Sequence, residues 1–246
     1  MIAAGPMQRA SERRRRGALK LVVDFLTFPV RALLLYGGDR WGLSAISSER
    51  YDYVAREVLG YCLDVGCGRH NRFVMQYLGG EGVGVDVYPY AGLSAEQLLQ
   101  DCTKFPFPAE RFDSVTFIAT INHIAESERD AELREAFRVL RPGGNAIITM
   151  GTPLAMVLVH RLLHFYDRVL GTSLDIDGER GMEAEEAYYL SDAEIRQRLE
   201  RAGFAGITRK RFLTQWGLNH LLIGWKPAGS GAAGADPVIP TPGSAA

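Results

Sequence analysis

The segment LDVGCG at residues 63–68, an apolar run that breaks directly into two glycines, restricts this chain more than any other feature. Short apolar runs bounded by turn residues read as strands buried on both faces. With its flank the segment predicts a strand over 61–65. Six further strand patterns follow, at 82–87 (GVGVDV), 98–102, 113–119 (DSVTFIA), 145–150, 207–212 and 219–225. Helical patterns separate them. One covers 71–78, and a second runs from Ser127 with Asp130 to Leu140, where Arg141-Pro142-Gly143-Gly144 stops it. A third opens on the capping box Ser191-x-x-Glu194, with Leu190 and Ile195 as a hydrophobic staple, and ends at Gly203. Strands and helices in alternation predict an α/β fold: an open, mostly parallel seven-stranded sheet with helices on both faces.

The flanks divide the chain further. Residues 1–17 read as a disordered basic tail, 18–57 as an N-terminal helical extension and 58–226 as the sheet domain. Within that domain 151–189 forms a lid-like helical insertion after the fifth strand. Residues 227–246, nearly all Ala, Gly, Pro and Ser, read as a second disordered tail. Arg13–Arg16 followed by an apolar stretch loosely resembles a twin-arginine export signal, but Asp24, Pro29 and Arg31 interrupt the stretch. Those charges also exclude a spanning helix. What remains is an amphipathic helix carrying Leu19, Val22, Val23, Leu26, Val30, Leu33 and Leu34. It either packs on its own domain or lies on an anionic membrane with the arginines at its polar edge. The expectation is a cytoplasmic protein, with peripheral contact at the inner membrane surface in the second case.

In open parallel sheets the ligand sits beyond the carboxyl ends of the strands, where the strand order reverses. The first such turn is Asp64-Val65-Gly66-Cys67-Gly68-Arg69-His70. It fails the dinucleotide fingerprint G-x-G-x-x-G, because Asn71 stands in the third glycine position. Asp64 would also repel a pyrophosphate, whereas it suits a ligand with positive charge. Asp86, eighteen residues after Gly68, ends the second strand, where a carboxylate can accept from both ribose hydroxyls. Asp101 and Cys102 end the third strand and can meet an adenine amino group and ring nitrogen through a carboxylate and a backbone N–H. A nucleoside with a cationic, phosphate-free tail satisfies all three turns, and S-adenosylmethionine is such a molecule.

LDVGCG (63–68), GVGVDV (82–87), the Asp101 turn, FPFPAERFDSV (105–115), NHI (122–124) and EAFRVLRPGG (135–144) together resemble the class I S-adenosylmethionine-dependent methyltransferases, particularly the type 11 small-molecule group. The resemblance covers 58–150 most strongly and 191–204 with the closing strands more weakly. It implies a Rossmann-like sheet and S-adenosyl-L-methionine as cofactor. Asp64 would reach the methionine amino group, and Gly66 and Gly68, with Cys67 between them, would let the cofactor pass closely. Asp86 would hold the ribose with Val87 beside it, Asp101 the adenine amino group and Cys102 the adenine edge. Two departures stand out. His70 occupies the position of a frequent third glycine, and only fourteen residues separate Asp86 from Asp101, too few for the usual intervening helix.

A methyl sulfonium is already activated, so positioning supplies most of the acceleration. If the acceptor is a hydroxyl a base helps, and His123, next to Asn122 after the fourth strand, is the candidate; a loop-orienting histidine is the alternative. Tyr88, Tyr188, Tyr189, Trp216 and His220 are further residues that can face an acceptor. The insertion predicts an amphipathic helix over 153–170 with His160, His164 and Asp167 on one face. Arg161 stands where a zinc protease has its glutamate, so no metal is expected. With 28 basic against 29 acidic residues and a net charge of −1, a nucleic-acid partner is not expected. Ala119-Thr120-Ile121-Asn122 also differs from the Asn/Asp-Pro-Pro-Tyr pattern of DNA-base methylation. Cys62, Cys67 and Cys102 match no zinc or disulfide pattern and fit a reducing compartment. A small-molecule acceptor remains, hydrophobic, sugar or lipid-linked, with O-methylation slightly ahead of C- or N-methylation. The alternatives are a non-catalytic cofactor-binding protein and a membrane-surface interaction protein on the same fold.

Overall fold

Strands that are apolar on both faces require cover on both sides. Here Leu63, Val65, Val115, Phe117 and Ile148 pack into one core, while Cys62, Ile147, Leu221 and Ile223 pack into a second on the opposite face. The computed structural model of the chain describes residues 17–35, 39–155, 168 and 189–229. Its sheet contains β1 (Cys62–Val65), β2 (Gly82–Val85), β3 (Phe112–Ile118), β4 (Leu140–Gly151), β5 (Ala205–Arg211) and β6 (Asn219–Trp225). Their spatial order is β2-β1-β3-β4-β6-β5. β1 pairs in parallel with β2 and β3, and β3 with β4. Only β6 runs against its two neighbours. The order therefore reverses between β1 and β3, and the turns leaving these strands open onto one crevice.

Helices flank the sheet as expected. α4 (Glu126–Val139) and α5 (Asp192–Ala202) cover one face through Leu133, Ala136, Val139, Ile195 and Leu199. Arg198 ties them together, reaching Asp130 at 2.8 Å and Glu194 at 3.0 Å. The Ser191 hydroxyl accepts from the Glu194 N–H, and Gly203 leaves α5 at φ 103°. α3 (Ile46–Ala55) and the turns over 69–77 cover the other face.

Two expectations are corrected. Six strands, not seven, are found among the described residues. The segment 98–102 makes one parallel bridge, Asp86 to Leu98, and then leaves the sheet. The cause is local: the Asp101 carboxylate accepts from the Thr103 N–H and hydroxyl, which turns the chain away after a single bridge. The expected helix over 71–78 is a 3₁₀ turn, Arg69–Asn71, followed by a π-helical turn, Phe73–Tyr77. His70 and Asn71 interrupt it with φ of 59° and 46°. His70 thus keeps the left-handed backbone that a third glycine would take freely. The expectations for 1–16, for the insertion helix beyond Ala155 with His160, His164 and Asp167, for Tyr188 and for 230–246 lie outside the described residues.

The extension begins with α1 (Ala18–Leu26) and α2 (Phe28–Leu34). Their inward side carries Asp24 and Arg31 between the apolar Phe28 and Leu35. Arg31 is fully buried and donates to Glu49 Oε2 at 3.1 Å, Ser44 O at 2.9 Å, Thr214 O at 2.9 Å and Asp24 O. A buried guanidinium with all these acceptors is a strong clamp, and removing it strands the charges left behind. Arg31→Met is expected to lower stability by about 3–5 kcal/mol, read from the midpoint of urea unfolding.

Candidate functional site

The site is built where the order of strands reverses. After β1 the chain turns at Gly66, whose φ is 72°. A side chain there would overlap Thr120 at the end of β3, so the glycine is required by contact as well as by conformation. The next amides, Gly66 N and Cys67 N, still donate to Val85 O of β2 at 2.9 and 3.1 Å. Gly68, at φ 63°, has nothing within 4 Å of the place its side chain would occupy, so the front of this turn is open.

Two carboxylates belong to these turns, Asp64 two residues before Gly66 and Asp86 directly after β2. Asp64 is buried and accepts from the Thr116 hydroxyl at 2.6 Å. Burial pushes its carboxyl up to about 7, against the Thr116 hydrogen bond and with help from the charge on Asp86. Asp86 is also buried. Its carboxylate accepts from Gly68 N at 2.9 Å and Tyr88 N at 3.0 Å, linking the turns after β1 and β2. Val87 is half exposed beside it. Cys67 is buried, and burial with the two carboxylates raises its thiol far above the ordinary range, which removes it as a nucleophile.

The turn after β3 carries Asn122, buried, and His123, half-buried, on the 3₁₀ turn Ile121–His123. His123 N donates to Thr120 O at 2.8 Å, so both residues are held by the same turn that Gly66 touches. Ala119 enters this turn in the left-handed region, φ 56°, a strained choice for a residue with a side chain.

The outer end differs from expectation. The Asp101 side chain is 44% exposed and lies against its own turn, with Thr103 and, at 3.4 Å, Lys104. The Thr103 hydroxyl holds it below the usual carboxylate range. Cys102 instead points at α4 and donates its thiol to Glu128 Oε2 at 3.2 Å. Behind it lies Glu132, buried, with no hydrogen-bond partner for Oε2 among the described residues. Burial, Glu128 and Asp86 raise its carboxyl to about 8. Sequence reasoning missed Glu132, although its position was legible, since it falls four residues before Ala136 on the buried stripe of α4. The structure thus links Asp86 to Gly68, and Gly66 to the Thr120 turn that carries Asn122 and His123, with Asp64 buried two residues before Gly66 and Glu132 buried on α4. The Asp101 carboxylate is engaged by Thr103 of its own turn.

Of the other aromatic and histidine candidates, His220 is buried and bonded to Asp192 at 2.6 Å, and burial lowers its pKa. Trp216 lies against α1, with its indole N–H donating to Phe25 O at 2.9 Å. Among the described residues no group of three or more His, Cys, Asp or Glu is arranged to hold a metal.

A crevice lined by carboxyls, two of them kept from ionising easily, suits a ligand that brings positive charge. The orphaned Glu132 oxygen and the open space before Gly68 fit the nucleoside sulfonium that the sequence predicted.

Comparison with known proteins agrees. Residues 63–148 match the type 11 family model, described as a methyltransferase domain. The ubiquinone/menaquinone biosynthesis C-methyltransferase of Desulfotalea psychrophila is 31% identical over 137 residues, 50% of this chain and 52% of that protein. The demethylmenaquinone methyltransferase of Clavibacter sepedonicus is 30% identical over 141 residues, 54% of this chain and 55% of that one. The chain thus spans about half the length of these curated relatives. An S-adenosylmethionine-dependent methyltransferase structure from Thermotoga maritima superposes with a TM-score of 0.52 at 17% identity, covering 84% of this chain and 97% of that one. It shares the fold.

Two outcomes test the geometry. Gly66→Ala, strained at positive φ and overlapping Thr120, is expected to cost about 2–4 kcal/mol by chemical denaturation. For Asp64, the unfolded carboxyl ionises above its ordinary 3.8 while the folded one holds its proton to about 7. Folding therefore takes up a proton in that window, and this group's contribution to stability falls as pH rises through it. Asp64→Asn is expected to flatten the decline in thermal midpoint between pH 4.5 and pH 8.

Proposed function

We propose that this chain, whose residues 63–148 match a methyltransferase domain of the type 11 family, is an S-adenosylmethionine-dependent enzyme that methylates an apolar, aromatic small molecule. The observation that carries the reading is the buried Asp64 carboxyl, raised to about 7 beside an open glycine turn that a cationic group can enter. Asp64 receives the methionine ammonium. Each Asp86 oxygen already accepts one backbone N–H and keeps a lone pair for a ribose hydroxyl. Glu132 is a better partner for adenine than the Asp101 carboxylate. A neutral carboxylic acid offers one donor and one acceptor, the pair that an amino group and adjacent ring nitrogen require. The Cys102 backbone stands at the same edge, and Val87 supplies apolar surface next to the ribose.

When bound, the cofactor supplies an electrophilic methyl group. The chain contributes position and proton management. Asn122 and His123, held by the Thr120 turn, face the acceptor side, and His123 takes the proton that the acceptor loses. Two relatives, named as a ubiquinone/menaquinone biosynthesis C-methyltransferase and a demethylmenaquinone methyltransferase, support an aromatic acceptor, and the first name favours carbon over oxygen, which the sequence alone slightly favoured. A proton must leave in either case, so the role of His123 is unchanged.

Calorimetric titration with S-adenosylmethionine and S-adenosylhomocysteine is the first test. Micromolar binding is expected, weakened at least about tenfold, ~1.4 kcal/mol, by Asp86→Ala. No binding by folded wild type would sink the reading. Binding should also release a proton near pH 7, seen as a heat that depends on the buffer's ionisation enthalpy and that disappears in Asp64→Asn. With a quinol acceptor, His123→Ala is expected to lower kcat about 10²–10⁴-fold while cofactor affinity stays within error.

A further inference from the structure

The N-terminal helices are inside out. Asp24, Phe28, Arg31 and Leu35 face the body and are buried, whereas the apolar stripe faces solvent. Leu19 is 79% exposed and Leu26 68%, and Val22, Val30 and Leu34 are about half exposed. Leucines and valines at helical spacing normally point the other way. Here the Arg31 clamp holds the pair in this orientation, with acceptors from Ser44, Glu49 and Thr214.

Two turns extend the surface. Trp216 packs its ring on Phe28 at 5.4 Å and donates to Phe25 O, yet remains 53% exposed, and Leu213 beside it is exposed too. At the other end of α1, Lys20 Nζ donates to Gly42 O at 3.0 Å and holds a turn whose Trp41 is exposed. Arg40 and Arg211 are exposed next to these tryptophan-bearing turns. Contiguous apolar surface rimmed by polar groups marks a place of association.

We propose that this surface docks the protein on an anionic lipid bilayer, independently of whether methyl transfer occurs. Charge selects the occupant. The first forty residues carry eight basic side chains against three acidic ones, in a chain whose net charge is −1. Arg13, Arg14, Arg15 and Arg16 come immediately before the apolar helix. An apolar stripe for the acyl boundary, cations for the headgroups and tryptophans for the interface are what a helix lying in the membrane plane requires. A second copy of the chain is the poorer occupant, because a two-fold contact through one patch would bring its basic residues against themselves.

The orientation follows from strand register. Arg211 pairs with His220 and Gly151 with Asn219, so the turn bearing Leu213 and Trp216 lies at the edge of the sheet where β4 ends. β1 and β3, parallel to β4, end at that edge too. Docking places the turns after β1 and β3 on the membrane-facing edge.

The test is co-sedimentation of the full chain with vesicles of phosphatidylcholine, with and without about 30% phosphatidylglycerol. Wild type is expected to pellet with the anionic vesicles and to partition at least about tenfold less onto neutral ones. The double variant Leu19→Glu, Leu26→Glu should lose binding at least about tenfold while keeping the wild-type thermal midpoint, since both positions are mainly exposed. A second variant, Arg13→Gln with Arg14→Gln, Arg15→Gln and Arg16→Gln, should weaken anionic binding at an unchanged thermal midpoint. Wild type left in the supernatant with both vesicles overturns the proposal, as does undiminished binding by the leucine variant. So does a dimer in sedimentation velocity that Leu26→Glu dissolves, if no vesicle binding accompanies it.

Discussion

The contact between Gly66 and Thr120 sets the architecture of this protein. Two turns leave neighbouring parallel strands on opposite sides of the point where strand order reverses, and at Gly66 they meet with no room for a methyl group. Everything proposed for the site hangs from that junction. Asp64 and Gly68 lie on the β1 side of it, Asn122 and His123 on the β3 side, and Asp86 joins β2 to the same turn by accepting from Gly68 N. The junction is thus held by the fit of the Thr120 side chain against the bare Gly66 backbone and by the Asp86 carboxylate on Gly68 N.

Buried charge is handled in two opposite ways. Arg31 has acceptors on every side and serves as a structural clamp. Asp64 and Glu132 are buried without compensating cations, and their carboxyls are raised to about 7 and about 8. Leaving carboxyls in that state costs stability, and such cost concentrates where a ligand later relieves it. Both sit at the crevice, and Asp86 contributes to the shift of each.

Much of this was readable along the chain, for physical reasons that can be named. The closing strand Asn219–Trp225 was expected with those same ends, and α5 within a residue, because a short continuous apolar run, a serine cap and a left-handed glycine are local signals. The third strand failed because Asp101-Cys102-Thr103 forms a side-chain turn that outcompetes ladder pairing, and pairing depends on a neighbour that local pattern does not show. Glu132 was hidden by its type, since a glutamate on a helix reads as solvated unless its place on the buried stripe is counted.

The N-terminal helices mark the boundary most clearly. Their sequence carries two stripes at helical spacing, one through Leu19, Val22, Leu26 and Val30 and the other through Asp24, Phe28, Arg31 and Leu35. Amphipathicity was therefore determined locally, by residue types repeating at the period of a helix. Which stripe turns inward was decided by partners far away in the chain. Arg31 is stable in the interior only because Ser44, Glu49 and Thr214, the last 183 residues distant, bring oxygens to it. The same division holds at the site. Glycines and carboxylates at strand ends announced a nucleoside with positive charge, because those residue types are needed wherever backbone and cation approach. That they converge on one crevice came from the order β2-β1-β3-β4-β6-β5, which only packing the whole chain can select.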